Sequence, residues 1–337
     1  MARLPLSVQT TYQELLEALR THELHALAGT PFLKELPQGK YWYARQRIGE
    51  KPVDRYIGPD SEALRERIAG MQEGVNDTKK FERHAALLVG QLRAAGLPTL
   101  DRQTGSILSA MARAGAFRLG GTLIGTHAFR LYAGELGETF PGTLAVTQDV
   151  DVAAFENLKL AVQDKVDPSL VEAFKLLSLT PAPGLDPKGR STRWVTRTGG
   201  AMVEFLAPRM QSKREIVKLE PLDIYAQTLP FLNFLIAQPI PAVALYRSGV
   251  LVQVPRPERY AVHKLIVAQR RTGPGLGKVP KDLAQAEALI RVLAEDRPGE
   301  LAAAYETAIT TGIKWSQAIK ASLKQRPEIA HLLDRVL

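Results

Sequence analysis

The stretch "GTHAFRLYAGELGETFPGTLAVTQDVDVAAF", residues 125–155, holds a glycine turn, a helical pattern and an apolar run broken by two aspartates. "THAFRLYAGELG" has helical apolar spacing and a glycine stop. "LAVTQDVDVAAF" alternates as a strand entering a core does. Side chains on a strand repeat every second residue. Asp149 and Asp151 therefore share one face, while Val150 and Val152 bury on the other. Two carboxylates side by side on a sheet repel each other and are costly to desolvate. A bound divalent cation with oxygen ligands, most often Mg²⁺, is the usual resolution.

Upstream, "AFRLGGTLIG" reads as a buried strand that ends on Gly125, where the helix starts at once. The free N–H groups of a helix N-terminus suit phosphate. Gly125 lets the backbone approach a triphosphate, and Thr126 offers a hydroxyl. Downstream, "TRWVTRTGGAMVEFLAP" reads as a hairpin turning at Gly199-Gly200, with Glu204 between Val203 and Phe205. If that strand lies beside the aspartate strand, Glu204 completes a three-carboxylate site able to hold two metals. Such a pair clamps the attacking and leaving oxygens of a phosphoryl displacement. Each feature alone has an ordinary reading: a surface acid pair, a plain turn, a solvated glutamate. Their order is what points to chemistry.

The 337 residues divide into three expected units. Residues 1–100 carry a helix over 11–28, a hairpin "GKYWYARQRI"/"KPVDRYIG" around Gly49-Glu50, and a helical pattern over 62–95 opened by Asp60 or Ser61. Residues 101–224 form the catalytic core, with helices at 104–115 and 167–179 around the strands above. Residues 225–337 are mainly helical and complete the nucleotide site. They hold two short strands in "PAVALYRSGVLVQVP", a helix "PERYAVHKLIVAQRR" starting at Pro257, and further helices. The fold class expected is α+β: a small mixed sheet flanked by helices, with an N-terminal helix and β-hairpin region and a helical C-terminal part.

Composition is that of an ordinary globular chain, 45% hydrophobic and 23% charged, with no run long enough for a membrane span and no visible secretory signal. No membrane association and a cytoplasmic location are the expectations. The absence of cysteine excludes disulfides, thiolate nucleophiles and cysteine-based zinc sites. Net charge is +9, but Lys188–Lys218 and Arg256–Lys281 each carry +6, so the remainder is slightly acidic. Basic density of this kind suits an anionic partner such as nucleotide or nucleic acid, or simply a solvated face.

The order strand, Gly-Thr, helix, strand with "DVDV", later strand with an acid resembles the nucleotidyltransferase superfamily of DNA polymerase β. The segments "IGTHAFRLY", "TQDVDVA", "VEFLAP", "PERYAVHKLIVAQRR" and "KDLAQAEAL" look like bacterial nucleotidyltransferase-like proteins related to the AbiEii/MenA toxins, over roughly residues 105–300. The resemblance implies that Asp149, Asp151 and Glu204 bind Mg²⁺ or Mn²⁺, and that Gly125 and Thr126 hold the triphosphate. Lys264 matches the lysine that contacts phosphates, and Asp282 matches the acid of the "RDLxD" segment. Arg270 and Arg271 lie further along and add to the same patch. It implies NMP transfer from an NTP to an acceptor hydroxyl, RNA and tRNA in particular. Protein or small-molecule nucleotidylation, or a non-catalytic nucleic-acid binder, are the alternatives. An antitoxin partner is implied only for toxin members, and no residue here identifies one. The chain departs from the pattern in having Glu204 where Asp is commoner, Thr126 where Ser is frequent, and a longer segment between Gly125 and Asp149.

Other signals fail or stay ambiguous. "GPGLGKVP" is no P-loop: Thr272 stands where the first Gly is required, Val279 follows Lys278, and Pro280 opposes a helix. It reads as a mobile loop able to close on nucleotide. His22 and His25 have metal-like spacing but no third ligand nearby. His127, just after the turn, either approaches a phosphate or packs. The hairpin interleaves Tyr41, Trp42, Tyr43 and Tyr56 with Lys40, Arg45, Arg47, Lys51 and Arg55, which suits nucleic acid or a packed aromatic face.

Overall fold

The computed structural model describes residues 1–26, 30–48, 51–71, 78–145, 149–154, 164–183, 186, 188–196, 202–209 and 214–337. The turns expected at Gly49-Glu50 and Gly199-Gly200 lie outside the described residues.

The N-terminal part opens with helix α1 (Leu6–Ala26) and a three-stranded antiparallel sheet, β1 (Thr30–Leu36), β2 (Gly39–Ile48) and β3 (Lys51–Pro59). The expected hairpin is β2–β3, and β1 is an added edge strand. Two helices follow, α2 (Glu62–Met71) and α3 (Thr78–Ala94), and Ser61 Oγ accepts from the Leu64 amide in the first turn of α2. α1 and α3 pack together through Tyr12, Leu15, Leu88 and Leu92.

Two of the sheet's aromatics face inward, while Trp42, on the opposite face, is half-buried and donates to Asp60. Tyr43 and Tyr56 are buried with ring centres 5.6 Å apart and join the main core. The Tyr56 amide donates to buried Asp164, which also receives Arg118 at 2.5 Å and Arg55 at 3.2 Å. This node fastens the N-terminal sheet to the core. Tyr43 and Tyr56 are thereby spent on packing.

Helix α4 (Arg102–Arg113), capped by Asp101, leads to β4 (Thr122–Ile124). The strand expected over 116–125 is only these three residues. Gly115 and Gly120 adopt left-handed backbone at φ +85° and +92°, and the Gly121 amide closes a turn onto the Ala116 carbonyl. An apolar run buried as turns imitates a strand in sequence. Then come α5 (Gly125–Leu136), β5 (Asp149–Ala153), α6 (Leu170–Leu176), β6 (Leu179–Pro181), β7 (Arg193–Thr196), β8 (Met202–Pro208), β9 (Ile216–Leu219) and β10 (Ile224–Leu229).

The central sheet runs β4-β5-β8-β10-β9. β5 and β8 are parallel, and β4 is antiparallel to β5. One edge of β8 lies along β5. Its other edge takes β7 over residues 202–204 and β10 over 206–208. β10 begins at residue 224 and joins β8 to β9. The remainder is α7 (Leu232–Leu235), the hairpin β11 (Ile240–Ala244) and β12 (Val250–Val254), α8 (Pro257–Ala268), α9 (Val279–Asp296), α10 (Pro298–Thr311), α11 (Ile313–Lys324) and α12 (Pro327–Asp334). α8 is enclosed on nearly every side, with Tyr260, Val262, Leu265 and Ile266 fully buried. The α+β architecture with flanking helices matches the expectation. No helix among the described residues is long and apolar enough to cross a membrane.

Candidate active site

Register across the sheet builds the site. Arg193 on β7 pairs with Glu204 on β8, Glu204 with Asp151 on β5, and Asp151 with Ile124 on β4. Paired residues project to the same face. Arg193, Glu204 and Asp151 thus form one row, with Asp149 two residues along on the same side. Val150 and Val152 are fully buried on the opposite face, as alternation requires.

The row ends at the turn into α5. Gly125 has φ +67°, and a Cβ there would stand 2.5 Å from Asp151 Oδ2. Only glycine gives both the backbone angle and the space. Ile124 provides no side-chain cap, so the first amides of α5, from Gly125 and Thr126 on, are not covered by their own N-cap. Gly125→Ala is expected to lose about 1–2 kcal/mol of stability from the left-handed backbone. The displaced Asp151 carboxylate is expected to lower turnover by about 10²-fold. Paired unfolding and rate measurements check this, and near-normal turnover would show that the approach is not needed.

Crowding makes Asp151 a poor place for a bare charge. Burial first, then Glu204 and Asp149, raise its carboxyl pKa to about 7, while Lys264 and Lys278 pull the other way. Glu204 shares an ion pair with Arg193, Nε to Oε1 at 3.0 Å. Among the described residues no three His, Cys, Asp or Glu side chains are gathered closely enough to hold a metal ion as they stand. The donor chemistry nevertheless fits a hard divalent cation: oxygen ligands only, mutually repelling, with Arg193 as the present counter-charge of Glu204.

A second group, from α8, α9 and the loop between them, borders this row. Lys264 Nζ donates to Asp282 Oδ1 at 2.6 Å, and Arg271 Nε donates to Asp282 Oδ2 at 2.9 Å. Burial pushes the Lys264 ammonium pKa down and Asp282 opposes that. Burial pushes the Asp282 carboxyl up, but Lys264 and Arg271 outweigh it and hold it low. The Tyr260 hydroxyl lies 2.9 Å from the Gly125 carbonyl and 3.0 Å from Gln285 Oε1, sharing its one proton between them. Gln285 in turn donates to the Leu144 carbonyl at 2.7 Å. The C-terminal helices therefore brace the glycine turn directly.

Of the residues singled out in the sequence, Gly125, Thr126, Asp149, Asp151, Glu204 and Lys264 come together, with Asp282 behind Lys264. Arg270 does not join them: it is exposed and lies 4.9 Å over the Phe231 ring. α8 ends at Ala268, so residues 270 and 271 diverge in the following loop. His127 packs: it is buried, neither ring nitrogen has a hydrogen-bond partner among the described residues, and burial lowers its pKa to about 4. His22 stacks on Phe81 at 3.9 Å rather than standing exposed, and the His25 side chain lies outside the described residues. The loop 273–278 forms a 3₁₀ turn, not a phosphate loop, and α9 starts directly after it with Pro280 in its first turn, where proline is tolerated rather than opposed to a helix. Sequence reading missed Arg193, Lys278, Tyr260 and Gln285 as parts of the site. Arg193 had a signal, since hairpin register sets it against Glu204.

A family model described as "Nucleotidyltransferase" matches residues 102–310, more than half of the chain. A second model, a domain of unknown function (DUF6788), matches residues 9–66. No curated protein matches. Among solved structures, an antigenic nucleotidyltransferase-like protein from Paracoccidioides brasiliensis aligns at 13% identity and a TM-score of 0.40, over 70% of this chain and 94% of that one, a likeness too distant to bear on function. The span of the family match takes in the glycine turn, the three carboxylates and the Lys264–Asp282 pair, and by it the chain belongs to this nucleotidyltransferase family.

Proposed function

We propose that the protein transfers an NMP unit from an NTP to an acceptor hydroxyl, with RNA the favoured acceptor and Mg²⁺ or Mn²⁺ required. The observation that carries this reading is the row Glu204–Asp151 meeting the glycine turn of α5, so that carboxylates and helix amides face one place. Asp149, Asp151 and Glu204 would hold the metal, which supplies charge neutralisation at the transferring phosphate.

The remaining roles belong to the chain. Amides of Gly125 and Thr126 and the Thr126 hydroxyl bind the triphosphate at the start of α5. Lys264 and Lys278 offset the charge that grows on the leaving pyrophosphate. The acceptor oxygen forms a bond to the α-phosphorus as the bond from that phosphorus to the α,β-bridging oxygen breaks. The electron pair leaves on pyrophosphate. The acceptor proton passes to a carboxylate of the row, with Glu204 the residue placed to receive it. The three-part division at residues 100 and 224 and the kinship with toxin members belong to the same proposal.

The test is transfer of label from each α-labelled NTP, with Mg²⁺, onto RNA, tRNA and protein, beside Asp149→Asn. Label on RNA with the wild type only is the expected result. Label on protein moves the acceptor to a protein hydroxyl. No label on any acceptor, with metal-independent nucleic-acid binding, overturns the enzymatic reading.

A further inference from the structure

Beside the carboxylate row opens a cleft of about 690 Å³, lined by Asp186, Lys188, Arg190, Arg193, Arg214 and Gln227 among others. Arg193 belongs to both places: it lines the cleft, and its guanidinium pairs with Glu204. That pair is shallow, with the arginine 55% exposed, and such pairs exchange partners at little cost. Arg190 differs. It is forked onto Asp186 at 2.8 and 2.9 Å, which holds that carboxyl well below the usual range, and it lies 5.9 Å over the Tyr225 ring. One wall is thus fixed, while Lys188, Arg193 and Arg214 outnumber the one further acid, Glu215, in the lining.

We infer that this cleft holds the phosphate backbone of a single-stranded RNA acceptor, and that Arg193 is its pivot, pairing with Glu204 in the resting protein and with an acceptor phosphate once a divalent cation takes Glu204. The inference rests on the transferase reading. Several cations along one channel match a chain of phosphates, and a guanidinium fork matches a phosphate's two oxygens. A protein hydroxyl itself is neutral, and acids around it would not repeat along a channel as backbone phosphates do. The exchange also has a purpose. Three carboxylates bare of metal would repel RNA, so the acceptor is gripped only when the cation is in place.

Arg193→Gln and Lys188→Gln separate the parts of this inference. With a labelled single-stranded RNA of about 12 nucleotides and Mg²⁺, each is expected to weaken binding about tenfold. Each should also reduce the salt slope of log affinity by about 0.7. Arg193→Gln alone is expected to tighten Mn²⁺ binding severalfold in the absence of RNA, read by electron paramagnetic resonance. In turnover it should raise KM for the acceptor and leave KM for the NTP unchanged. RNA affinity unchanged in both variants, or Mn²⁺ affinity equal in Arg193→Gln and wild type, overturns the inference. If the wild type transfers NMP but these variants behave normally, the cleft inference fails and the function stands. If no transfer occurs yet RNA binding depends on both residues, the function fails and the cleft stands.

Discussion

Asp151→Asn is expected to abolish NMP transfer, by about 10³-fold or more, while making the metal-free protein more stable at pH 8. Both effects have one cause. In the folded chain the Asp151 carboxyl titrates at about 7, because of burial and then Glu204 and Asp149. In the unfolded chain an aspartate titrates near ~3.9. Between those values the folded state holds a proton that the unfolded state has lost, so stability falls as pH rises through this window. Above pH 7 the penalty is complete, on the order of 2 kcal/mol after allowance for residual solvent contact. Asparagine carries no charge and escapes it.

Thermal unfolding in EDTA from pH 4 to 8 reads the effect. The two proteins should converge near pH 4 and separate steadily to pH 8. Mg²⁺ should then stabilise the wild type more than the variant, since it replaces the missing counter-charge. A difference that does not change with pH would mean that Asp151 ionises normally and that its neighbours impose no strain for a cation to relieve.

The aspartate strand was legible because a two-residue repeat leaves no choice of face: once Val150 and Val152 bury, Asp149 and Asp151 must project together. The Gly125 turn was legible because glycine before a helical pattern has few other uses. What failed were features fixed by distant partners. Residues 116–120 look like a strand in composition, yet left-handed glycines fold them as turns. β9 and β10 went unseen because "IVKLEPLDIYAQTL" is interrupted by the turn at 220–222 and by Asp223 at φ +48°. Arg193 became part of the site only through the pairing of β7 with β8. Arg270 and Arg271 are adjacent in sequence, but one reaches Phe231 and the other Asp282, because the helix has already ended. Lys278 comes from a loop whose approach to Asp151 no local pattern encodes.

The Lys264–Asp282 pair invites a structural and a chemical explanation, and substitution separates them. Asp282→Leu alone leaves the buried Lys264 ammonium without its hydrogen-bonded carboxylate and removes the partner of Arg271. It is expected to destabilise the fold by about 3–5 kcal/mol, the scale for orphaning one member of a buried pair. Lys264→Met together with Asp282→Leu removes both charges in similar volume, and Arg271, more exposed, can turn to water. The double variant should recover to within about 1–2 kcal/mol of wild type, since an apolar pair often replaces a buried ion pair at little loss. Denaturant unfolding of the two single variants and the double closes this cycle. Activity then decides the role. If Lys264 serves only to pack α8 against α9, the restored fold restores transfer. If its ammonium neutralises the leaving pyrophosphate, with Asp282 keeping it charged and aimed, the double variant folds well and stays inactive. Recovery of stability without recovery of rate is the expected outcome. It follows from the position of the pair, behind the Tyr260–Gly125 contact and within electrostatic reach of Asp151.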